Sequence, residues 1–397
     1  MHSVRILARV VVSLALALPL TGIPRVGTIR AEQQSGLQTL TIQSTALRGA
    51  TMVDVLLPTG YASGTRRYPV LYLLHWLGGL YSSWNDGTDV TALMQNVPLI
   101  VVMPDAGNGW YANAVDRGKP QWESYHIDEL IPYVDRQFRT IATRGGRAIA
   151  GASMGGMGAL SYAARHPDLF SAAGSFSGAL DLGLEADNLG ASGTDMRFWS
   201  GHNPVELAAN LQGVALYLAA GNGTPGPSDP AGSAFDVSEA TKLTELKHMV
   251  AALQRAHVSA TVDAYGPGTH NGPYFERGLH HALPLLLAVF AHPPAAPSPW
   301  SYRTTEVRFD VWGYHVERLG GTPSWTIMTG VGHQALSASG TGRLLLVTAA
   351  LYRPGITYTL TGPAGQERVR ADAAGRLHLT LPLGGLGPRH WTITARG

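Results

Sequence analysis

The sequence predicts an α/β domain, with a mostly parallel central sheet and helices on both faces, followed by a small all-β, immunoglobulin-like sandwich domain. Short apolar runs alternate with helix-compatible segments over residues 36–292, which is typical of an α/β sheet. A proline-rich segment follows at residues 293–299 and predicts a stiff linker. Residues 300–397 contain short alternating or apolar stretches separated by turn signals, which favours an antiparallel sandwich.

Within the first part, each predicted strand is a short apolar run and each predicted helix is a longer segment compatible with helical spacing. The predicted strands cover residues 52–57, 70–75, 99–103, 147–152, 172–176, 215–219 and 260–264. The predicted helices cover residues 124–138, 157–165, 239–256 and 278–291. The order of these elements predicts one α/β domain over residues 36–292.

The composition argues against several classes of function. Charged residues make up 14% of the 397 residues, the formal net charge is +2, and only three residues are lysines. Because no basic stripe is present, a nucleic acid partner is not expected. The chain has no cysteine, so no disulfide framework is expected. A small or neutral molecule is the expected partner.

The first 31 residues have the pattern of an export signal. Arg5 and Arg9 precede an apolar stretch over residues 10–20, which is the length expected for the core of a signal peptide and short for a membrane span. A cleavage site after Ala31 is one option, and a retained membrane anchor or a buried N-terminal element are alternatives. The segment predicts a secreted or cell-envelope protein.

One motif points to nucleophilic catalysis. Residues 151–155 read GASMG, the only G-x-S-x-G pattern in the chain, with Ser153 at its centre. In the nucleophile elbow of the α/β-hydrolase fold, a strand turns abruptly into a helix and exposes the serine hydroxyl at the turn. Here a strand-like run at 147–152 precedes the serine and a helix-compatible run at 154–165 follows it. The context predicts Ser153 as the nucleophile.

A serine nucleophile needs a histidine base, which follows it in the chain order of α/β-hydrolases. Eight histidines lie between Ser153 and the predicted linker, and only His270 stands in a loop directly after a candidate late strand. His75 lies upstream of the serine and is therefore expected to be structural. No histidine spacing resembles a metal-ligand cluster, so neither a metal nor a cofactor is expected.

The carboxylate that orients the base should follow the strand at 215–219. Asp229, Asp236 and Glu239 all satisfy this condition, and the pattern alone does not choose among them. Asp236 and Glu239 also suit the ordinary role of acidic residues at the start of a helix.

The developing oxyanion needs two backbone N–H donors. The first is expected from Met154, the residue after the nucleophile. The second is expected from the loop after an early strand, where residues 71–79 run from an apolar strand into a glycine-containing turn. Trp76, Trp110 and Tyr111 are candidate walls of the substrate pocket, with core packing as the alternative.

Five segments taken together resemble the putative-esterase family of α/β-hydrolases, which includes esterase D-like enzymes, tributyrin esterases and mycolyltransferases of the antigen 85 type. They read LYLLHWLGG, VVMPDAGNGWYAN, GASMGGMGAL, LYLAAGNGTPGP and GTHNGPYF, and they occur in the family's order. The resemblance implies Ser153 as nucleophile, His270 as base and Glu239 as acid. It also implies oxyanion donors at the N–H groups of Leu77 and Met154.

The chain departs from the family pattern in the oxyanion loop. Trp76 stands where glycine is common, and His75 and Gly78 stand where the mycolyltransferases carry an acid and an arginine. Gly272 stands where that branch has a tryptophan. The resemblance therefore implies a secreted serine carboxylesterase acting on a small-molecule or lipid ester rather than a trehalose mycolyltransferase. An acyltransferase is the main alternative, and an inert wall-binding protein is a third.

The C-terminal β-domain has no clear relative among these motifs. Its predicted role is that of an accessory domain that could contact the cell wall or another carbohydrate. Under the third alternative, this contact would be the whole function of the protein.

Overall fold

The computed structural model describes residues 30–31, 36–185, 189 and 195–395. Its larger sheet has nine strands in the order β1-β2-β3-β5-β4-β6-β7-β8-β9. The strands are β1 Arg30–Ala31, β2 Leu37–Ser44, β3 Gly49–Leu56, β4 Val70–Leu74, β5 Ile100–Pro104, β6 Arg147–Ala152, β7 Ala172–Phe176, β8 Ala215–Ala220 and β9 Thr261–Ala264. The pairs from β5 through β9 are parallel, whereas β1, β2 and β3 add an antiparallel edge.

Helices connect these strands and cover the sheet. They are α1 Ser83–Gly87, α2 Val90–Met94, α3 Trp122–Ser124, α4 Ile131–Gln137, α5 Met154–Arg165, α6 Met196–Ser200, α7 Pro204–Leu207, α8 Val237–Arg255 and α9 Gly272–Ala291. A π-helical segment, Tyr125–Leu130, joins α3 to α4, and short 3-10 turns lie at Arg144–Gly146, Leu182–Leu184 and Ala208–Leu211. The predicted α/β class is confirmed.

Strands β6 and β7 have the predicted bounds, because both consist mainly of small and apolar residues that are buried along their whole length. Strand β2 was not predicted. It lies between the two-residue edge strand β1 and strand β3. Polar and apolar residues alternate along its second half, and its burial alternates in step. The helix predicted at 124–138 contains the π-helical segment just before Pro132, whose missing N–H interrupts the regular helical ladder.

The sheet has a separate apolar core on each face. Helix α5 packs on one side with side chains such as Leu160 and Ala163, and α9 packs on the other with Leu279 and Leu286. Both faces of the central strands are therefore buried by apolar side chains. Polar functional groups are expected at the carboxyl ends of the strands, which the helices do not cover.

The C-terminal part is entirely antiparallel. A six-stranded sheet has the order β10-β13-β14-β19-β16-β17, and a four-stranded sheet has the order β11-β12-β15-β18. These strands are β10 Trp300–Thr304, β11 Arg308–Val311, β12 Tyr314–Leu319, β13 Thr326–Val331, β14 Ala335–Gly340, β15 Arg343–Val347, β16 Thr357–Gly362, β17 Gly365–Arg370, β18 His378–Pro382 and β19 Gly385–Ala395. Side chains from both sheets form one shared core, so the sheets pack face to face as predicted.

The proline-rich segment lies against the α/β part. Arg144 donates from Nη1 to the carbonyl of Pro294 at 2.8 Å, and from Nε to the carbonyl of Pro167 at the same distance. The segment is therefore tied to the domain before it, in addition to any stiffness that its prolines supply.

None of the helices in the described part of the chain has the length and apolar character needed to cross a membrane. Residues 1–29, which make up nearly all of the predicted export segment, lie outside the described residues.

Candidate active site

Ser153 occupies a sharp turn between β6 and α5. Its backbone has φ 55° and ψ −119°, a strained combination for a residue with a side chain. The flanking glycines are required by sterics, because a Cβ on Gly151 would lie 2.4 Å from the carbonyl oxygen of Gly155. A Cβ on Gly155 would lie 2.4 Å from the carbonyl oxygen of Leu74. The local structure is therefore that of a nucleophile elbow.

Three side chains meet at this turn in a hydrogen-bonded row. His270 Nε2 lies 2.8 Å from Ser153 Oγ, and His270 Nδ1 lies 2.7 Å from Glu239 Oε2. The serine follows strand β6, the histidine lies in the loop after β9, and the glutamate lies in the first turn of α8. This is the arrangement in which an imidazole can take the serine proton while a carboxylate holds the ring.

Glu239 is completely buried, and the protein supplies further donors to its carboxylate. Ser177 Oγ donates to Glu239 Oε1 at 2.7 Å, and the backbone N–H of Gly221 donates to the same oxygen. The ring of Phe275 packs edge-on against His270, with 5.0 Å between the ring centroids. The carboxylate and the imidazole are thus each held from two directions.

Asp236 occupies a different position from the one an orienting acid would need. Its Oδ1 accepts from the backbone N–H of Glu239 at 3.2 Å and caps helix α8. Its Oδ2 accepts from the backbone N–H of His270 at 2.7 Å. Asp236 therefore ties the helix that carries the glutamate to the loop that carries the histidine.

Asp229 supports the same loop from its other side. It accepts hydrogen bonds from Thr269 and Asn271, the two neighbours of His270, and from the hydroxyl of Tyr274. Desolvation raises the pKa of Asp229, but these hydrogen bonds outweigh it and hold the pKa below its usual range. The geometry brings Glu239, and neither aspartate side chain, to the imidazole nitrogen.

His75 holds the peptide group between Trp76 and Leu77. His75 Nε2 accepts from the N–H of Ala106 at 3.0 Å, so Nδ1 carries the proton and donates to the carbonyl of Trp76 at 2.8 Å. The N–H of Gly79 donates to the same carbonyl at 2.9 Å. In a trans peptide the N–H points away from the carbonyl, so fixing the carbonyl also fixes the N–H of Leu77.

The cavity at Ser153 has a volume of about 360 Å³. It is lined by Trp76, Leu77, Trp110, Ser153, Met154, Ala179, Glu185, Ser238, Lys242, His270, Asn271, Gly272 and Phe275. The predicted oxyanion residues Leu77 and Met154 therefore border the same space as the serine. A second cavity of about 720 Å³ shares Leu77 and Trp110 with the first and is lined largely by aromatic and aliphatic side chains.

The three candidate wall residues lie in different places. Trp76 and Trp110 line the cavity at Ser153. Tyr111 lies in the core instead, where its hydroxyl donates to the carbonyl of His75 at 3.0 Å and its ring packs against Tyr162. Tyr111 is therefore a core residue and does not line the cavity at Ser153.

Sequence reasoning missed Ser177, Glu185 and Lys242. Lys242 follows Glu239 by one turn of α8, so the spacing alone could have placed it near the site. Ser177 and Glu185 reach the site from separate loops, and no local pattern marks them.

In the part of the chain that the structure describes, one group of side chains could hold a metal ion. Asp89, Glu276 and His280 bring three potential ligand atoms within 4.8 Å of one another. His280 Nε2 already contacts Asp89 Oδ1 at 2.9 Å, and none of the three residues lines the cavity at Ser153.

This fold and turn define an α/β-hydrolase. Residues 44–286, more than half of the chain, match the model of the family described as "Putative esterase", and the chain belongs to that family. The relatives that the chain matches include an esterase and a diacylglycerol acyltransferase/mycolyltransferase.

An esterase of Mycobacterium tuberculosis is 37% identical over 224 residues, which cover 50% of this chain and 49% of the relative. The chain thus spans about half the length of that relative. The diacylglycerol acyltransferase/mycolyltransferase Ag85A of Mycobacterium tuberculosis is 29% identical over 273 residues, covering 60% of this chain and 79% of the relative. The solved structure of a ferulic acid esterase matches with a TM-score of 0.53 and 25% identity, covering 64% of this chain and 98% of the other.

Proposed function

We propose that the protein is a serine carboxylesterase in which Ser153 is the nucleophile, His270 the general base and Glu239 the orienting acid. The observation that carries the proposal is the hydrogen-bonded row from Ser153 Oγ through both nitrogens of His270 to the buried Glu239. The strained backbone of Ser153 supports it, because such strain is kept where a side chain must be presented at a turn.

In the proposed reaction, Ser153 Oγ attacks the ester carbonyl carbon while its proton passes to His270 Nε2. The carbonyl oxygen becomes an oxyanion, which the N–H groups of Leu77 and Met154 stabilise. The intermediate collapses, and the alcohol leaves with the proton from His270. A water molecule, deprotonated by His270, then attacks the acyl-serine ester and releases the acid and free Ser153.

The direct test is the Ser153→Ala variant. Hydrolysis of p-nitrophenyl butyrate should fall by about 10⁴-fold or more, because the row loses its nucleophile. A fluorophosphonate probe should label the wild-type protein at Ser153 and leave the variant unlabelled. Circular dichroism should show the same fold in both proteins. Undiminished hydrolysis in the folded variant would refute the proposal.

Acyl transfer is the second candidate, and the relationship to a diacylglycerol acyltransferase/mycolyltransferase favours it. In that reaction a hydroxyl of an acceptor, instead of water, attacks the acyl-serine ester. The measurement is product partitioning: with a p-nitrophenyl ester as donor and a sugar or diacylglycerol as acceptor, transfer would produce a new ester. Release of free acid alone at every acceptor concentration would leave hydrolysis as the function.

We also propose that residues 36–292 form the catalytic domain, residues 293–299 the linker and residues 300–397 an accessory domain. The family match ends at residue 286, which supports an accessory role for the β-rich part. The further proposal is that this part contacts cell-wall carbohydrate. Sedimentation of the full chain with insoluble cell-wall polysaccharide tests it, and a protein that stays in solution contradicts it.

Export to the outside of the cell or to its envelope is proposed from residues 1–31, whose charge and hydropathy pattern supports it. Sequencing the N-terminus of the protein recovered from the culture medium would test both export and cleavage. Recovery only from the cytoplasm would exclude export.

A further inference from the structure

The catalytic cavity has a charged wall that the proposed triad does not use. Lys242 is 5% exposed, and its ammonium group bonds the carboxylates of Glu185 and Glu245, with 3.0 Å between Nζ and Glu245 Oε1. Lys242 and Glu185 both line the cavity at Ser153. The same lining includes large apolar side chains, among them Trp76, Trp110 and Phe275.

Stability alone does not account for this buried ion pair. Removing two charges from water costs free energy that their attraction rarely exceeds, and a well-packed apolar pair of similar volume is often at least as stable. The deeper part of the same helix face is apolar, with Leu246, Met249 and Leu253. The buried charged residues thus occupy only the end of α8 that borders the cavity.

The position of the charged wall assigns it to one part of the substrate. The alcohol oxygen of an ester must face His270, because it leaves with the proton from that imidazole. Lys242 follows Glu239, the partner of His270, by one turn of α8 and lines the same cavity as His270, so we place the charged wall on the side of the imidazole. The larger apolar cavity begins at Leu77 and Trp110 and can take the acyl group.

The chemistry of the wall selects a neutral partner with hydroxyl groups. A hydroxyl group both donates and accepts a hydrogen bond. The ammonium group of Lys242 can donate to its oxygen, and the carboxylate of Glu185 can accept its proton. Among the described residues, the carboxyl groups of Glu185 and Glu245 are the partners of the ammonium, which leaves one of its three N–H groups for a ligand. An anionic ligand would gain from Lys242 but would be repelled by Glu185.

We propose that Lys242 and Glu185 form a hydroxyl-binding subsite for the alcohol part of the ester. The preferred substrates are then esters of alcohols that carry a further hydroxyl near the ester bond. This inference rests on the proposed serine esterase function and deepens it.

The test compares two esters with the same acyl group and carbon skeleton, propyl butyrate and 2,3-dihydroxypropyl butyrate. For the wild type, kcat/KM should be about tenfold higher for the dihydroxypropyl ester, which is the effect of one or two hydrogen bonds made in a buried site. In Lys242→Met the ratio of the two kcat/KM values should fall toward one. The matched control is Lys247→Met, an exposed lysine on the same helix, which should keep the wild-type ratio.

A second variant protects the test against misfolding. Glu185→Gln keeps the size of the side chain and leaves Lys242 paired with Glu245, and it should also lower the ratio. A wild-type ratio near one would overturn the subsite, as would a high ratio that persists in a folded Lys242→Met or Glu185→Gln protein. No turnover of either ester together with no labelling of Ser153 would instead overturn the proposed function, and the subsite with it.

Discussion

Two networks of buried charge in the α/β part can be compared. The lysine network, Lys242 with Glu185 and Glu245, lies at the cavity beside Ser153. The arginine network, centred on Arg165 and Glu123, lies at the contact with the β-sandwich. At the sandwich, Arg165 forms a bidentate pair with Glu123, with Nε–Oε1 2.8 Å and Nη2–Oε2 3.1 Å. It also donates to Glu306, which precedes strand β11, and to the carbonyl of Gly201. The hydroxyl of Tyr302 donates to the carbonyl of Arg165.

The two networks differ in what surrounds the cation. The planar guanidinium of Arg165 donates four hydrogen bonds to protein acceptors, two of them as a bidentate pair, which suits a permanent contact. Desolvation raises the pKa of Glu123, but Arg165 and two histidines outweigh it and hold that pKa well below the usual range. Lys242 has a compact ammonium and borders open space. We therefore expect the arginine network to stabilise the fold, whereas we propose that the triad serves catalysis and that the network of Lys242, Glu185 and Glu245 beside it serves binding.

The largest expected effect is on the catalytic side. In Glu239→Gln, kcat should fall by about 10⁴-fold, because an amide at this position favours the wrong tautomer of His270. Asp236→Asn should cost much less, since the amide oxygen can still accept one of the two backbone N–H groups. Steady-state kinetics on p-nitrophenyl butyrate measure both. Equal losses of kcat in the two variants would contradict the assignment of Glu239, rather than Asp236, as the orienting acid.

The next effect is on the contact with the sandwich. Arg165→Met should lower the free energy of unfolding by about 3–5 kcal/mol, because Glu123 stays buried without its main partner. The control is Arg308→Met, which breaks the largely exposed pair with Glu317 and should cost less than about 1 kcal/mol. Urea unfolding at neutral pH measures both.

Arg165→Met also tests the division of roles. The folded fraction of the variant should keep its kcat, because Arg165 lies outside the cavity lining. A variant as stable as Arg308→Met, or a folded variant with strongly reduced kcat, would contradict the difference between the two networks.

The sequence predicted the parts of the molecule that depend on neighbours along the chain. The elbow at Ser153 and strands β6 and β7 follow from runs of small and apolar residues, which carry their own steric and burial requirements. His270 followed from its place after a late strand. Strand β2 was missed because more than half of its residues are polar, so it lacks a continuous apolar run.

The choice of the acid could not be made from the sequence. Asp229 and Asp236 lie in the segment just before α8, and Glu239 lies in the first turn of that helix. All three contact the ring of His270 or the loop that carries it. Only the geometry separates the carboxylate that meets the imidazole from those that accept backbone or hydroxyl groups. Glu185 was beyond prediction for a related reason, because its partner on α8 is 57 residues away in the chain.

The smallest expected effect concerns pH and sharpens the account of the lysine network. Burial, together with a hydrogen bond to Glu185, raises the pKa of Glu245 from 4.5 to about 8, against the lowering effect of Lys242. The folded protein therefore binds this proton more tightly than the unfolded chain does. Its contribution to stability is full below about pH 4.5 and is lost as the pH rises toward about 8.

Glu245→Gln imitates the protonated side chain at every pH and removes this dependence. The unfolding midpoint of the variant relative to wild type should therefore rise as the pH increases from about 5 to about 8. The control is Glu367→Gln, an exposed residue of β17, whose midpoint should follow that of the wild type. A difference between Glu245→Gln and wild type that stays constant, or that falls with rising pH, would mean that Glu245 is ionised beside Lys242. The charged wall would then carry a net negative charge and would favour cationic ligands over neutral hydroxyls.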